Sequence, residues 1–230
     1  PGKDLTIAGN ARSINDEFLP KGTATIDFLG SKYEARVSSG RFEHKITLNE
    51  NYNPGTFPIS VHVEDEYGNY GDASVDVKVI AIPKRLENKI EDSLLNPGDT
   101  LKATIVLYDH VGNPIDGSIN LKIIDPLETV IIEESIGSSG QFELLTAGTQ
   151  KPGSYVLLST FGDADVNIRE RSLFEVESVS KIDMDQVGNF VYVENTGNVE
   201  FDDEVTVILE SDDKKYLVNR KIELKPGEKA

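Results

Sequence analysis

Residues 74–79 read Ser-Val-Asp-Val-Lys-Val, an alternation of polar and apolar side chains with a period of two. The same alternation recurs at 23–28, 59–63 and 204–209. Because successive side chains of a strand point to opposite faces, this pattern predicts strands that are buried on one face. Only 85–95 has helical spacing, and since it is short and abuts a turn, we expect an extended linker or a first strand there. The sequence therefore predicts an all-β protein of antiparallel β-sandwiches.

Two short motifs occur twice and in the same order. Ser-Ser-Gly-Arg-Phe at 38–42 recurs as Ser-Ser-Gly-Gln-Phe at 138–142, and Pro-Gly-Thr-Phe at 54–57 recurs as Pro-Gly-Ser-Tyr at 152–155. The second motif of each pair precedes an apolar strand. Repetition at similar offsets predicts two tandem copies of one sandwich.

The repeats divide the chain into three expected domains. The copies occupy 1–83 and 84–179, joined near Pro83, where proline disfavours a helix across the boundary. A different pattern begins after Val179 and supplies four strands at most. Since a free-standing sandwich of this type needs about seven strands, we expect 180–230 to be a partial β domain, truncated or completed by a partner chain through strand addition.

The turn motifs also carry a family resemblance. In the second copy, Asn-Pro-Gly-Asp-Thr at 96–100, Gly-Gln-Phe at 140–142 and Pro-Gly-Ser-Tyr at 152–155 resemble the turns of macroglobulin-like and bacterial or archaeal immunoglobulin-like domains. The first copy is similar, through the stretch 63–69. The resemblance implies tandem immunoglobulin-like antiparallel β-sandwiches of cell-surface proteins.

The third segment resembles the start of a CARDB-type domain, an adhesion-related module of archaeal and bacterial surface proteins. The similarity lies in Val-Glu-Asn-Thr-Gly-Asn at 193–198 and Leu-Lys-Pro-Gly-Glu at 224–228. All of these resemblances imply an extracellular, cell-surface location. They imply no catalytic residues, because such families act mainly as spacers and binding modules.

Composition narrows the function further. The 230 residues carry a formal net charge of −17, which disfavours nucleic acids and anionic membrane surfaces as partners. The absence of cysteine excludes disulfides and thiolate chemistry. No apolar stretch approaches the ~18 residues of a membrane span, so we expect no membrane insertion within this segment and any anchor outside it.

The histidines and serines form no recognisable catalytic motif. His44, His62 and His110 are far apart, and none belongs to a His-x-x-His arrangement that would direct two imidazoles at one metal. His62 lies between two valines, so its side chain is expected on the solvent face of its strand. There is no Gly-x-Ser-x-Gly elbow. We therefore expect a protein that is not an enzyme and has no cofactor, apart from the metal considered next.

One acidic cluster is the candidate metal site. Glu64, Asp65 and Glu66 precede a short turn, and we expect Asp72 to face them across it. Ca²⁺ takes six to eight oxygen ligands, which inter-domain loops of this kind can supply. A structural Ca²⁺ site is therefore one interpretation, and a solvated acidic turn is the other. The acidic residues at 163–167 begin like an EF-hand loop, but the required glycine and glutamate are missing.

Tyr67 and Tyr70 are the candidate ligand-binding residues, because exposed aromatic side chains form the platforms of many sugar-binding sites. Our leading hypothesis is a non-catalytic extracellular spacer or stalk segment of a larger prokaryotic, archaeal cell-surface protein. The alternative is an adhesion module that recognises a protein or a glycan through the apical loop at 64–72.

Overall fold

The computed structural model of the chain describes residues 3–137, 140–162, 166–188, 190–211 and 214–230, and it leaves the side chains of residues 209, 211 and 214 undescribed. The serine pair at 138–139, the acidic residues at 163–165 and the turn at 212–213 lie outside the described residues. The described residues form strands and turns and contain no helix. The predicted all-β class is therefore confirmed, and the pairs of strands are antiparallel with one exception described below.

The chain divides into two compact units. The first comprises Pro1–Pro83 with the turn Asp109–Asn113, and the second comprises Lys84–Tyr108 with Pro114–Ala230. The observed division thus groups 180–230 with the second copy. The division into three domains remains a prediction from the sequence.

The first unit is a six-stranded sheet in the order β1-β4-β3-β2-β5-β6. Its strands are β1 (Asp4–Asn10), β2 (Lys21–Phe28), β3 (Ser31–Ser38), β4 (Arg41–Thr47), β5 (Gly55–Asp65) and β6 (Tyr70–Val79). Strands β3 and β4 share only the pair Ser38–Arg41. Side chains from β1 and β4, such as Ile7 and Ile46, join Ile26 of β2 in one core. The sheet therefore folds at β3–β4 into two layers around that core.

The second unit contains a sandwich of two sheets. Its strands are β7 (Pro83–Ile90), β8 (Leu94–Leu95), β9 (Thr100–Asp109), β10 (Ser118–Ile124), β11 (Val130–Gly137), β12 (Gly140–Leu145), β13 (Gly153–Gly162) and β14 (Asn167–Val176). One sheet has the order β12-β9-β7 and the other β11-β10-β13-β14-β8. Leu101 and Phe142 of the first sheet share a core with Leu121 and Tyr155 of the second. Strand β7 covers the first part of the stretch 85–95, for which the sequence predicted an extended linker or a first strand.

The strand order identifies the sandwich as immunoglobulin-like. In that fold the first, second and fifth strands form one layer, and the third, sixth and seventh form the other. Here β7, β9 and β12 occupy the first layer, and β10, β13 and β14 occupy the second, extended by β11. The short β8 runs parallel to β14, with Leu94 opposite Glu175 and Leu95 opposite Val176.

The two units share one topology. Strands β1 to β6 of the first unit correspond in order to β9 to β14 of the second, with the same pairings except that β3–β4 has no paired counterpart in β11–β12. The repeated motifs occupy matching places: Phe42 and Phe142 lie near the start of β4 and β12, and Phe57 and Tyr155 lie near the start of β5 and β13. Strands β7 and β8 have no counterpart among the described residues of the first unit.

The remaining residues of the second unit form two antiparallel hairpins. The first pairs β15 (Ile182–Val187) with β16 (Phe190–Asn195), and the second pairs β17 (Phe201–Ser211) with β18 (Lys214–Leu224). The four strands match the number expected from the sequence. No helix among the described residues is long and apolar enough to cross a membrane.

Candidate functional site

The loop between β5 and β6 is the candidate site, and Asp65 organises it. The Asp65 carboxylate accepts hydrogen bonds from the backbone N–H of Tyr67 at 2.8 Å and of Asn69 at 2.9 Å, and from the Asn69 side-chain amide at 2.8 Å. The backbone N–H of Asp65 donates to the carbonyl of Asn69, and Gly68 has a positive φ of 83°. Asp65 is therefore bonded to its own loop, which the sequence did not reveal.

The same five-residue loop occurs twice more, between β9 and β10, which belong to different sheets, and in the β10–β11 hairpin. Asp109 accepts from the N–H of Val111 and Asn113, and Asp125 accepts from the N–H of Leu127 and Thr129. In each loop the residue three places after the aspartate has a positive φ. The signal in the sequence is Asp-x-x-Gly-Asn, present at 65–69 and 109–113.

These hydrogen bonds favour the ionised carboxylate. The side-chain hydrogen bond from Asn69 is the largest influence and lowers the pKa of Asp65. Desolvation raises this pKa, and the backbone N–H groups of Asn69, Tyr67 and Gly68 lower it again, so the net pKa is lowered. At Asp109 burial raises the pKa, but the N–H groups of Asn113 and Val111 outweigh it and the net pKa is lowered. The carboxylates of Asp65 and Asp109 are thus stabilised as anions by the loops that they hold together.

Asp72 does not face the acidic cluster directly. The strand register places it opposite His62, and its carboxylate lies 2.8 Å from His62 Nδ1. The Tyr70 ring lies beside the imidazole, with ring centroids 5.3 Å apart. Glu64 is opposite Tyr70, two pairs closer to the loop. Asp72 therefore lies two residues farther along β6 than the position opposite Glu64.

The remaining acidic residues of the cluster are not arranged as ligands of one metal ion either. Glu66 lies 3.9 Å from the Lys21 ammonium, an exposed ion pair. Among the residues that the structure describes, no group of three or more His, Cys, Asp or Glu side chains is placed to hold a metal ion. A Ca²⁺ site formed by Glu64, Asp65, Glu66 and Asp72 therefore remains a prediction from the sequence.

Tyr67 and Tyr70 are both open to solvent, with exposed fractions of 89% and 72%. Tyr52 and Phe57, the other two aromatic residues beside turns of the first copy, are less exposed. Phe57 packs against the core of its unit, and the Tyr52 ring lies 6.2 Å from the buried Phe28 ring. The candidate ligand-binding surface is thus limited to the two tyrosines of one hydrogen-bonded loop.

A shallow groove of about 530 Å³ lies on the solvent face of β2, β3, β5 and β6. His62 lies on this face, as its alternation with valines predicts, and its side chain is 43% exposed. The groove is lined mainly by Asp27, Lys32, Ser60, His62, Asp72 and Ser74.

The three histidines have separate surroundings. The His44 ring packs against Tyr33, with centroids 5.2 Å apart. Within the first unit, His110 Nδ1 accepts the backbone N–H of Ile82 at 3.2 Å, and Nε2 lies 3.0 Å from the carbonyl oxygen of Tyr52. Because Nδ1 accepts, Nε2 carries the proton and donates to Tyr52. His110 thus binds backbone groups within its unit.

A second polar cluster lies in the Asn-Thr-Gly-Asn turn at 195–198. Asn195 is fully buried, and its amide donates to the carbonyls of Val199 and Leu224. Asn198 is also buried and donates to the carbonyls of Gln150 and Glu177. These two amides fasten the C-terminal hairpins to each other and to the preceding sandwich. The sequence indicated only a glycine turn here.

Comparisons with known proteins give a weak structural similarity. No known protein-family profile matches the chain, and no curated protein matches it. A tetra-tandem repeat from the extending region of a large adhesion protein is 11% identical with a TM-score of 0.42, and the match covers 98% of this chain and 60% of that structure.

Two further structures have similar values. An amphioxus IgVJ-C2 molecule is 12% identical with a TM-score of 0.40, over 76% of this chain and 96% of that one. A Ca²⁺-stabilised adhesin with which an Antarctic bacterium binds ice is 13% identical with a TM-score of 0.32, over 97% of this chain and 61% of that one. The class of protein is defined here by strand order: a chain of tandem immunoglobulin-like β-sandwiches.

Proposed function

We propose that the chain is a non-catalytic, load-bearing spacer or stalk segment of a larger extracellular protein on a prokaryotic cell surface. The observation that carries the proposal is the repetition of one six-strand topology, each time around its own hydrophobic core. A unit that closes its own core can be added in series without redesign of its neighbours. Serial addition is the simplest means of extending a surface protein.

The parallel pair β8–β14 suits the second sandwich to carry tension. Besides the paired residues, the N–H of Glu175 donates to the carbonyl of Ser93, and the N–H of Glu177 donates to the carbonyl of Leu95, both at 2.8 Å. Strand β8 lies near the N-terminal end of the sandwich, and β14 is its C-terminal strand. Force applied along the chain therefore pulls parallel strands in opposite directions, and both hydrogen bonds resist together in shear.

Single-molecule force spectroscopy of the full chain tests this function. Glu177→Pro removes one of the two N–H donors, whereas Glu177→Ala retains it and is the matched control. We expect a lower rupture force for the second sandwich in the proline variant and an unchanged force in the alanine variant. Equal forces in all three proteins, or unfolding at forces too small to detect, would refute the load-bearing role.

A second function is favoured by the exposure of Tyr67 and Tyr70. We propose that this loop recognises a glycan or a protein on the cell surface. A glycan array and a pull-down test it, with Tyr67→Ala and Tyr70→Ala expected to abolish any specific signal. Leu127 occupies the equivalent position of the same loop type and is 66% exposed, so Leu127→Ala is the control. Silence of the unmodified protein would exclude this function.

A further inference from the structure

The β17–β18 hairpin is a long ribbon with unpaired edges. Its strands pair without a bulge from Phe201–Leu224 to Ser211–Lys214. No third strand pairs with either of them among the residues that the structure describes. Each outer edge therefore presents a row of backbone N–H and C=O groups that another strand can use.

The ribbon also carries exposed apolar side chains on both faces. Ile208 and Leu217 are directly opposite each other on one face and are 57% and 70% exposed. Tyr216 and Val218 are on the other face and are 53% and 47% exposed. A two-stranded ribbon is marginally stable in water, and additional strands stabilise it by covering such side chains. The ribbon thus has both the edge and the apolar surface of an incomplete sheet.

The two strands carry opposite charge. In β17 every charged residue is acidic: Asp202, Asp203, Glu204 and Glu210. In β18 the charged residues are Lys214, Lys215, Arg220 and Lys221, with Glu223 as the single acid. A basic strand is unusual in a chain with a net charge of −17. Within the hairpin this arrangement already forms ion pairs, Lys221 with Asp202 at 2.9 Å and Lys215 with Glu210.

We propose that a second copy of this chain covers the ribbon, with β18 of one copy pairing antiparallel to β17 of the next. Such pairing places the basic strand β18 of one copy beside the acidic strand β17 of the next, as the two strands already lie within each hairpin. Pairing of β18 with β18, or of β17 with β17, would place like charges opposite each other, which destabilises a sheet. Charge therefore selects head-to-tail association over a symmetric dimer.

Head-to-tail pairing has two consequences. A heterologous contact does not close on itself unless its rotation forms a ring, so the assembly can grow beyond a dimer. The overall charge of −17 opposes association only weakly at contact, because charges farther apart than about 8 Å are largely screened at physiological salt. The charges of the two strands themselves decide the pairing.

Sedimentation velocity of residues 1–230 over a wide range of concentration tests the proposal with three charge variants. K215E/R220E/K221E makes both strands acidic, and D202K/E204K/E210K makes both basic. The third variant combines all six changes, which restores opposite charges within the hairpin and between copies. Circular dichroism checks that each variant keeps its strand content.

The unmodified chain is expected to grow in mass with concentration. Each three-residue variant alone is expected to associate at least about tenfold more weakly, whereas a mixture of the two, and the six-residue variant alone, associate again. A chain that stays monomeric at every concentration overturns the proposal. So does association that persists in a three-residue variant, or that fails to return in the six-residue variant.

Discussion

Asn198 donates a hydrogen bond of 2.9 Å to the carbonyl oxygen of Gln150, which lies 48 residues earlier in the chain. The same amide nitrogen donates to the carbonyl of Glu177 at 2.7 Å, and Asn198 Oδ1 accepts the N–H of Val179 at 2.7 Å. One buried side chain thus joins the β12–β13 connection, the end of β14 and the start of the C-terminal hairpins.

Asn198→Ala is expected to destabilise the second unit by about 2–3 kcal/mol, since it removes the three hydrogen bonds that this buried side chain makes with Gln150, Glu177 and Val179. Urea denaturation of the full chain measures the change. Asn219 is exposed on β18, so Asn219→Ala is the control and should have little effect. Equal stability of both variants would show that the Asn198 amide does not fasten the hairpins.

Gly197→Ala tests the close approach of two backbone segments. A Cβ atom at this position would lie 2.7 Å from the N of Lys181 and closer still to the carbonyl oxygen of Val179. Because both atoms belong to the backbone, relief requires movement of the chain, and we expect a loss of about 1–3 kcal/mol. Gly71→Ala is the control, since its added Cβ would meet nothing within 4 Å. An unchanged unfolding midpoint for Gly197→Ala would contradict this expectation.

Tyr155→Phe tests the tyrosine corner of the second sandwich, in which the hydroxyl of a tyrosine near the start of a strand binds the backbone a few residues upstream. The Tyr155 hydroxyl donates to the carbonyl of Lys151 at 2.7 Å and accepts from the Gln150 side-chain amide at 2.9 Å. Burial raises the pKa of this phenol. Loss of the hydroxyl should cost about 1–2 kcal/mol in chemical denaturation. The exposed Tyr192 provides the control Tyr192→Phe, and an equal effect of the two changes would count against a corner role.

The Asp65 loop predicts a dependence of stability on pH. Because the folded pKa of Asp65 is lowered, chiefly by Asn69, its contribution is present above the ordinary aspartate pKa of about 3.9 and is lost as pH falls through the folded pKa. Calorimetry should therefore find Asp65→Asn less stable than the unmodified chain at neutral pH, with the difference shrinking in acid. Asp76→Asn, on β6, is the charge-matched control. A difference that stays constant with pH would refute the assignment.

Much of the fold follows from local patterns. The alternation at 74–79 lies within β6, and the repeated Gly-Phe and Pro-Gly-aromatic motifs occupy equivalent places in the two sandwiches. Such signals are readable in a sequence because strand periodicity and turn chemistry depend on neighbouring residues only. The exposure of Tyr67 at the tip of a hairpin belongs to the same class of information.

The partners of individual side chains depended on tertiary structure. The five-residue loop sets the register of β5 and β6, and in this register Asp72 is opposite His62. The backbone N–H groups of the loop bind the Asp65 carboxylate instead. The sequence around Asn198 indicated only a local turn. In the structure the Asn198 amide binds the carbonyl of Gln150, which is distant in the sequence. Alternation determines which face of a strand is buried, but register and long-range contacts arise only when separate segments pack together.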